Sequence, residues 1–575
     1  MTNVEIAGAF DEMGDILEFQ GANMFRVRAY RNAARVIRDL TEPLAAMVDD
    51  PDRPLTDITG IGKDLAEKIE TLVRTGELKQ LNELRTQVPE SALAMLRIPG
   101  LGPKKAATLS KELGIQSLDD LKAACEQGRV RELKGFGEKT EQMILAGIGL
   151  AATANVRMYW ADADEIAQAL RAYLATCPQV EQLELAGSYR RGKETIGDLD
   201  ALVVSSDVKA VMDHFGKFPE LKDVIARGDT KMSIRTRAGL QVDLRVVPAE
   251  SFGAALQYFT GSKEHNVIMR GMAKQRGLKI NEYGVFRVQD GKETYIAGRT
   301  EAEVYATLDL PLFPPEIREA RQEFEWAATG KLPELVTLDD IRGDLHMHTT
   351  ATDGKATIQE MIAAAQAIGL DYICITDHSQ RVSMARGLTP ERALEQWKEI
   401  DKIRKTLPKG FTLLKGIECD ILEKGGMDLP DDVLAEADFV IASVHYGQKQ
   451  SRQQITERIL GAIENPHVHL IAHPTGRLLN RREAYEVDLD AVFAAAKKHR
   501  KLLELNANPV RLDLNDVYCA AAKSHGIPIV INTDAHSTDE LGMMRYGILQ
   551  ARRAGLTKAD VANSRTWLQM KKLIG

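Results

Sequence analysis

Along roughly the first 150 residues, apolar positions recur every three to four places, the spacing of amphipathic helices. The opening stretch MTNVEIAGAFDEMGDILEFQ predicts one such helix with an acidic outer face. Three segments follow a common form, apolar-x-Gly-apolar-Gly and then an amphipathic helix: ITGIGKDLAEKIETL (58–72), IPGLGPKKAATLSKEL (98–113) and LKGFGEKTEQMILAG (133–147). Their first glycines, Gly60, Gly100 and Gly135, are 40 and 35 residues apart. From 158 to 310 helices alternate with β-branched strands, expected at Gln182–Leu185, Leu199–Val204, Leu240–Val247 and Gly284–Val288. PLFPPEI (311–317), a helix through Thr329, and GKLPELVTL (330–338) read as a connector. Beyond 340 come seven apolar runs, near 341–345, 372–375, 412–417, 439–443, 468–471, 501–505 and 527–531, with helical stretches between most of them. That alternation predicts a parallel α/β barrel.

A Gly-x-Gly turn between helices lets the backbone approach a ligand closely. It also leaves the first N–H groups of the second helix pointing outward, where phosphate oxygens bind. One copy is equally a plain turn with a glycine cap. Three copies point to phosphate-backbone binding through Gly60, Gly62, Gly100, Gly102, Gly135 and Gly137. The repeat resembles the helix-hairpin-helix motif, which grips DNA backbone without reading sequence.

At 575 residues the chain is too long for a single core, and several domains are expected. Hydrophobic content of 44% and charged content of 27% are those of a soluble globular protein. An uninterrupted apolar run of about 18 residues is lacking, as is a charged-then-apolar leader, so a cytosolic protein without membrane contact is expected. The five cysteines lie far apart with no CxxC pair, which argues for reduced core thiols over a disulfide framework or a cysteine zinc site. Net charge is −8, and residues 1–157 carry 21 Lys+Arg against 24 Asp+Glu. Any binding of DNA must therefore rest on local geometry and not on overall charge.

The first candidate chemistry lies in ELAGSYRRGKETIGDLDALVV (184–204). Asp198 and Asp200 are two apart at the start of a strand, so both carboxylates face one side. Asp243, in GLQVDLRVV, can bring a third from a neighbouring strand. Three converging carboxylates call for divalent cations, and Mg2+ suits carboxylate and phosphate oxygen. Two such ions lower the barrier for a 3′-hydroxyl to attack an α-phosphate and support the departing pyrophosphate. Just upstream, Gly187 and Ser188, then Arg190, Arg191 and Gly192, offer backbone N–H groups and guanidinium forks to a triphosphate.

The second lies beyond residue 340, where ten of the 12 histidines fall. His346, His348, Asp353, His378, Glu418, His445, His473, Asp534 and His536 sit at expected strand ends, the active face of an α/β barrel. Six imidazoles and three carboxylates suffice for two or three Mn2+, Zn2+ or iron ions with positions left for water, which such ions activate to attack a phosphate ester. His467, His469, His499 and His525 do not fit the scheme and read as structural or solvated.

Three aspartates with Gly-Ser upstream resemble the nucleotidyltransferase superfamily, and QYFTGSKEHNVIMRGMA (257–273) resembles the nucleotide-selecting segment of family X DNA polymerases. The resemblance implies that Gly187, Ser188, Arg191, Gly197 and Gly261 bind nucleotide and that Tyr258 and Phe259 pack on the incoming sugar and disfavour a 2′-hydroxyl. It further implies that Asn266 bonds the incoming base or its minor-groove edge and that Arg270 touches template. The chain departs from the vertebrate members at Gln241, where they have Arg, and at Lys263, where they have an acid. These departures bear on deprotonation of the attacking hydroxyl and on the tightness of nucleotide binding. MFRVRAYRNAARVI (24–37) and TGIGKDLAEKIETL (59–72) are similar to the family's lyase domain, whose Schiff-base lysine aligns with Lys68, with Arg26 and Arg31 as cations to favour its neutral form.

The order of the nine barrel residues resembles the PHP (polymerase and histidinol phosphatase) domain over 340–575. Together the resemblances imply a multidomain chain. A lyase-like helical DNA-binding domain spans 1–82 and a helix-hairpin-helix, fingers-like region 83–157. An α+β nucleotidyltransferase (polymerase-beta-like) palm follows at 158–250, then a nucleotide-selecting domain at 251–318, a linker at 319–339, and a (βα)7-type barrel at 340–575. The implied function is DNA-directed synthesis that fills short gaps in base excision repair, with a metal-dependent 3′–5′ exonuclease, 3′-phosphatase or abasic endonuclease in the barrel and 5′-deoxyribose-phosphate lyase activity at Lys68. Gapped or nicked duplex DNA and deoxynucleoside triphosphates are the expected partners of a monomer. Two alternatives use the same residues: an end-processing nuclease without synthesis, and a non-enzymatic repair scaffold whose barrel is structural.

Overall fold

The computed structural model describes residues 3–574 except 41–43, 49–52, 76–77, 87–94, 96–100, 102, 116, 134, 139, 143 and 146–156. The chain forms two compact units, Met1–Arg157 and Met158–Gly575.

In the first unit, helix Asn3–Phe19 packs on helix Met24–Asp39, and Phe10, Tyr30, Ile37 and Ile69 share one buried core. Gly60 takes φ +97° at the first Gly-x-Gly turn, a conformation that favours glycine. The carbonyl of Gly62 then accepts the N–H groups of Leu65 and Ala66 at 3.0 and 2.9 Å, opening helix Lys63–Thr75. The third copy repeats the geometry: Gly135 has φ +89°, and the Gly137 carbonyl accepts Thr140 and Glu141 at 2.9 and 3.0 Å. Gly100 and Gly102 lie outside the described residues; helix Pro103–Leu113 follows them.

The second unit begins with a five-stranded sheet in the order Gln182–Leu185, Asp198–Val204, Gln241–Val247, Lys231–Thr236, Leu221–Arg227. Asp198–Val204 and Gln241–Val247 run parallel, and the other pairs are antiparallel. Two of these strands, Leu221–Arg227 and Lys231–Thr236, escape the sequence pattern. LKDVIAR is an edge strand exposed over nearly its whole length, so it lacks the apolar alternation that marks a half-buried one. Helices Phe252–Thr260 and Lys263–Gln275 and a three-stranded antiparallel sheet (Leu278–Asn281, Gly284–Gln289, Lys292–Ala297) come next. Residues 319–339 form no free tether. Glu319, Glu323 and Val336 are buried, and Glu323 holds His265 Nδ1 at 2.9 Å while Tyr305 Oη lies 2.9 Å from its Nε2.

All seven expected barrel strands are present, parallel and in sequence order: Gly343–Asp344, Tyr372–Ile375, Thr412–Asp420, Phe439–Ser443, Leu470–Ile471, Leu502–Asn506 and Ile529–Asn532. A parallel bridge between Met347 and Ala535, with His348 N–H donating to the Ala535 carbonyl at 2.8 Å, joins the first strand's end to the last. Tyr372, Ile373, Cys374 and Ile375 are each buried on both faces, which is why the strands read as unbroken apolar runs. The five cysteines are free and buried. No helix among the described residues is long and apolar enough to cross a membrane.

Candidate active sites

In the palm, the parallel register sets Asp200 directly across from Asp243, with Asp198 two residues back on the same strand. Burial raises the Asp200 carboxyl to about 7, and the charges of Asp198 and Asp243 push the same way. The three carboxylates therefore feel one another, as a cation site requires. Asp243 behaves oppositely. Burial pushes it up, yet bonds from Lys231, Ser233 and Gln241 outweigh that and hold it below the ordinary carboxylate range. Lys231 Nζ lies 2.5 Å from Asp243 Oδ2, and Gln241 Nε2 donates to Asp243 Oδ1 at 2.9 Å. Among the described residues, the palm carboxylates do not gather into a group with one oxygen from each within 4.8 Å of the others.

Gly187 (φ +66°) abuts this cluster so closely that a Cβ there would stand 2.6 Å from Asp200 Oδ2. No side chain fits, and Ser188 follows on the short helix Gly187–Arg190. Gly197 immediately precedes Asp198 at the strand entrance. Both guanidinium groups make contacts within the protein. Arg190 binds Glu301 in bidentate fashion at 2.9 and 2.7 Å and Thr260 Oγ1 at 2.8 Å, so its fork is committed within the protein. Arg191 donates to Glu319 at 3.0 Å and to the Thr260 carbonyl. Glu301 and Glu319, 111 and 128 residues distant in sequence, meet these groups, which local pattern cannot foresee.

Tyr258 and Phe259 are half-buried and meet edge to face at 5.1 Å, and Arg245 lies over the Phe259 ring at 4.5 Å. Gly261 turns the chain at φ +70°. Asn266 donates to the Tyr258 carbonyl at 2.7 Å and accepts from Gln257 at 2.6 Å, tying the second helix to this turn. Arg270 and Lys263 are exposed on that helix. In the first unit, Lys68 ion-pairs with Asp64 one turn earlier, and Arg31 binds Asp15 and Glu18. The first of these contacts sets an acid beside the lysine.

In the barrel, the nine expected residues come together around Glu418 and Asp534. Three groups have ligand atoms all within 4.8 Å: His348, Asp353, His378 and His536; His346, His348 and Asp534; His378, Glu418 and His445. His473 joins through its Nε2, 3.1 Å from Glu418 Oε1. Burial would lower His346 and His378, but carboxylates prevail: Asp534, Glu504 and Glu418 hold the first well above its usual range, and Glu418 and Asp353 hold the second near 10. His348, buried beside the cationic His378 and His536, is pushed down to about 4. His346 Nε2, His348 Nδ1, His378 Nδ1 and Glu418 Oε2 are buried without a hydrogen bond of acceptable geometry, although His378 Nδ1 lies 2.8 Å from Glu418 Oε2. Buried polar atoms left without hydrogen bonds and aimed at a common centre fit metal ions, and this donor set suits divalent cations.

Sequence reasoning overlooked the groups that orient these ligands. Glu504 lies 2.8 Å from His346 Nδ1 and accepts the His473 N–H at 2.7 Å. Asp420 lies 3.1 Å from His445 Nδ1 and accepts its N–H at 3.0 Å. Each fixes a tautomer that leaves Nε2 facing the centre. Asn506 donates to Asp534 Oδ2 at 3.0 Å. The available signal was a polar residue inside an apolar barrel strand, as in LLELN (502–506). His469 stays apart, stacked on Phe439 at 5.2 Å.

Family models match in chain order: "Helix-hairpin-helix domain" at 1–78, "SAM-like Helix-hairpin-helix tandem" at 92–149, "DNA polymerase beta palm" at 157–252, "DNA polymerase beta thumb" at 255–319 and "PHP domain" at 344–508. The last span stops short of Asp534 and His536. The DNA polymerase/3′-5′ exonuclease PolX of Bacillus subtilis is 41% identical over 569 residues, covering 98% of each chain. A probable phosphatase of Thermoanaerobacter sp. is 30% identical over 248 residues, 40% of this chain and 95% of its own. DNA polymerase lambda of Rattus norvegicus is 26% identical over 348 residues, 55% of this chain and 56% of its own. Full-length likeness to a bacterial relative, with palm, thumb and PHP models in one order, makes this chain a member of the PolX family, the family X DNA polymerases that carry a PHP domain.

Proposed function

We propose that the chain is a DNA-directed DNA polymerase that fills short gaps during repair and hydrolyses phosphoesters at 3′ ends in its barrel, as 3′–5′ exonuclease, 3′-phosphatase or abasic endonuclease. The observation that carries the reading is that one compact unit, 158–575, holds both a three-carboxylate palm and a nine-residue imidazole–carboxylate barrel.

In the palm, Asp198, Asp200 and Asp243 hold two Mg2+, which supply charge neutralisation for phosphoryl transfer. The tight Gly187–Ser188 turn brings backbone N–H groups toward a triphosphate, and Tyr258 and Phe259 form the wall against the sugar. In the barrel, Glu418, Asp534 and Asp353 with the six histidines hold two or three Mn2+, Zn2+ or iron ions. Glu504 and Asp420 keep His346 and His445 turned inward. The Gly60–Gly62 and Gly135–Gly137 turns present N–H groups to DNA backbone, Gly100 and Gly102 serve the same partner, and Arg270 touches template. The partners are gapped or nicked duplex DNA and deoxynucleoside triphosphates, met by a monomer at the nucleoid. Lyase action at Lys68 requires that its pairing with Asp64 be broken when an abasic sugar binds.

The test is a primer on one-nucleotide-gapped DNA, with and without nucleotides, first in Mg2+ and then in Mn2+. Extension by one nucleotide in Mg2+ and shortening in Mn2+ without nucleotides is the expected pair of results. Absence of extension would leave an end-processing nuclease, and absence of shortening would leave a barrel with a structural role.

A further inference from the structure

The turn that follows Gly187 and Ser188 is not held by the palm alone. The barrel helix Met544–Arg553 lies directly against it. Gln550 Nε2 donates to the Gly192 carbonyl at 2.9 Å, and Arg553 Nη1 donates to the Arg191 carbonyl at 2.7 Å. The same Arg553 nitrogen reaches Glu319 Oε1 at 2.8 Å, the atom that Arg191 Nε meets at 3.0 Å. Arg553 Nη2 continues to Asp516 Oδ2 at 2.8 Å, and Arg321 reaches that oxygen at 3.1 Å. Gly192, at φ +64°, has Leu549 so close that a Cβ would stand 3.3 Å from it. Two residues on, Arg477 of the barrel pairs with Glu194, and Tyr159 Oη donates to the Leu479 carbonyl at 2.7 Å.

The pair at the centre of this network is almost wholly withdrawn from water: the side chain of Arg553 is 3% exposed and that of Glu319 is 8% exposed. A buried carbonyl that loses its donor is costly, so the turn should hold its observed shape only while the barrel helix supplies those donors. The helix lies beyond the 344–508 span matched by the PHP family model. It follows the metal-site residues Asp534 and His536 by a single 3-10 turn, Asp539–Met543, whose Glu540 accepts the His536 N–H at 2.7 Å.

We propose that Gln550 and Arg553 are positioning residues for DNA synthesis: the barrel helix shapes the palm turn Arg190–Lys193, and through it the seat of the incoming triphosphate. This rests on the assignment of Gly187–Gly192 as the triphosphate-binding turn. Neither residue touches substrate; each acts through the backbone carbonyls it fixes.

The test uses the full chain carrying Gln550→Leu, which removes the donor at similar volume, and separately Arg553→Lys, which keeps the charge but cannot bridge Arg191, Glu319 and Asp516 together. Single-nucleotide gap filling yields KM for the nucleotide and kcat, and Mn2+-dependent shortening of a single-stranded 3′ end is the internal control. The expected result is a KM raised about tenfold, the scale of one buried hydrogen bond, with kcat and shortening each within about twofold. Asp200→Ala run alongside separates the two claims. If it still extends primers, the palm assignment falls; if it does not, yet both barrel variants keep the parent KM, only the positioning role falls. Equal losses of extension and shortening would also overturn the role, because a loosened fold harms both sites alike.

Discussion

The palm and the barrel solve one problem, gathering negative charge for cations, by opposite means. The palm draws three aspartates from two adjacent strands, with Asp198 exposed and a lysine ammonium at Asp243. The barrel draws nine groups from the ends of six of its seven strands, and most are buried, with Glu504 and Asp420 buried behind the histidines they orient. A site built on two strands is completed by what arrives, the triphosphate and its ions. A site whose ligands are mostly buried and held by carboxylates behind them is organised beforehand and needs only ions and a phosphoester.

The sharpest way to break this comparison is to disable each site in turn. Asp200→Ala should lower primer extension on the order of 10³-fold or more and leave Mn2+-dependent shortening intact. The pair His346→Ala with His348→Ala should do the reverse, removing shortening while gap filling continues. Loss of both activities in either variant, read on the same gapped substrate, would mean the sites are not independent centres.

A smaller effect separates ligands from the groups that orient them. Glu504→Gln leaves all nine candidate ligands in place but withdraws the carboxylate that fixes His346. Metal affinity of the barrel should fall about 10- to 100-fold, with extension unchanged. Bound metal counted after dialysis would decide it, and full occupancy at the parent's affinity would rule out the orienting role.

The two sites should also differ in pH response. Asp200 is raised to about 7, against an ordinary carboxylate value near 4. Between those values the folded, metal-free chain binds a proton that the unfolded chain does not, so this group's contribution to stability declines as pH rises through that window. Mg2+ must displace the same proton, so its apparent affinity in extension should weaken about tenfold per unit below pH 7. Mg2+ titrations at pH 5.5, 6.5 and 7.5 giving one affinity would contradict it.

The smallest effect belongs to Lys231→Met. The ammonium is partly exposed and offsets charge that a divalent ion offsets better, so extension at saturating Mg2+ should change by no more than a few-fold. A loss as large as that of Asp200→Ala would make Lys231 part of the chemistry.

Much of this molecule is legible in one dimension. Buried parallel strands must be apolar on both faces, so the seven barrel runs stand out; period-two alternation puts Asp198 and Asp200 on one side; three Gly-x-Gly turns announce themselves by repetition. The strand Leu221–Arg227 does not stand out, because an exposed edge imposes no pattern. The sequence alone thus determined the kinds of element and the residues able to do chemistry, since local periodicity follows from backbone geometry. Only the tertiary structure decided that Arg190 serves Glu301, that Glu504 stands behind His346, and that Arg553 reaches the palm. Those pairings join residues by long-range packing, and a carboxylate or guanidinium carries no mark in sequence of which distant partner will satisfy it once both are buried.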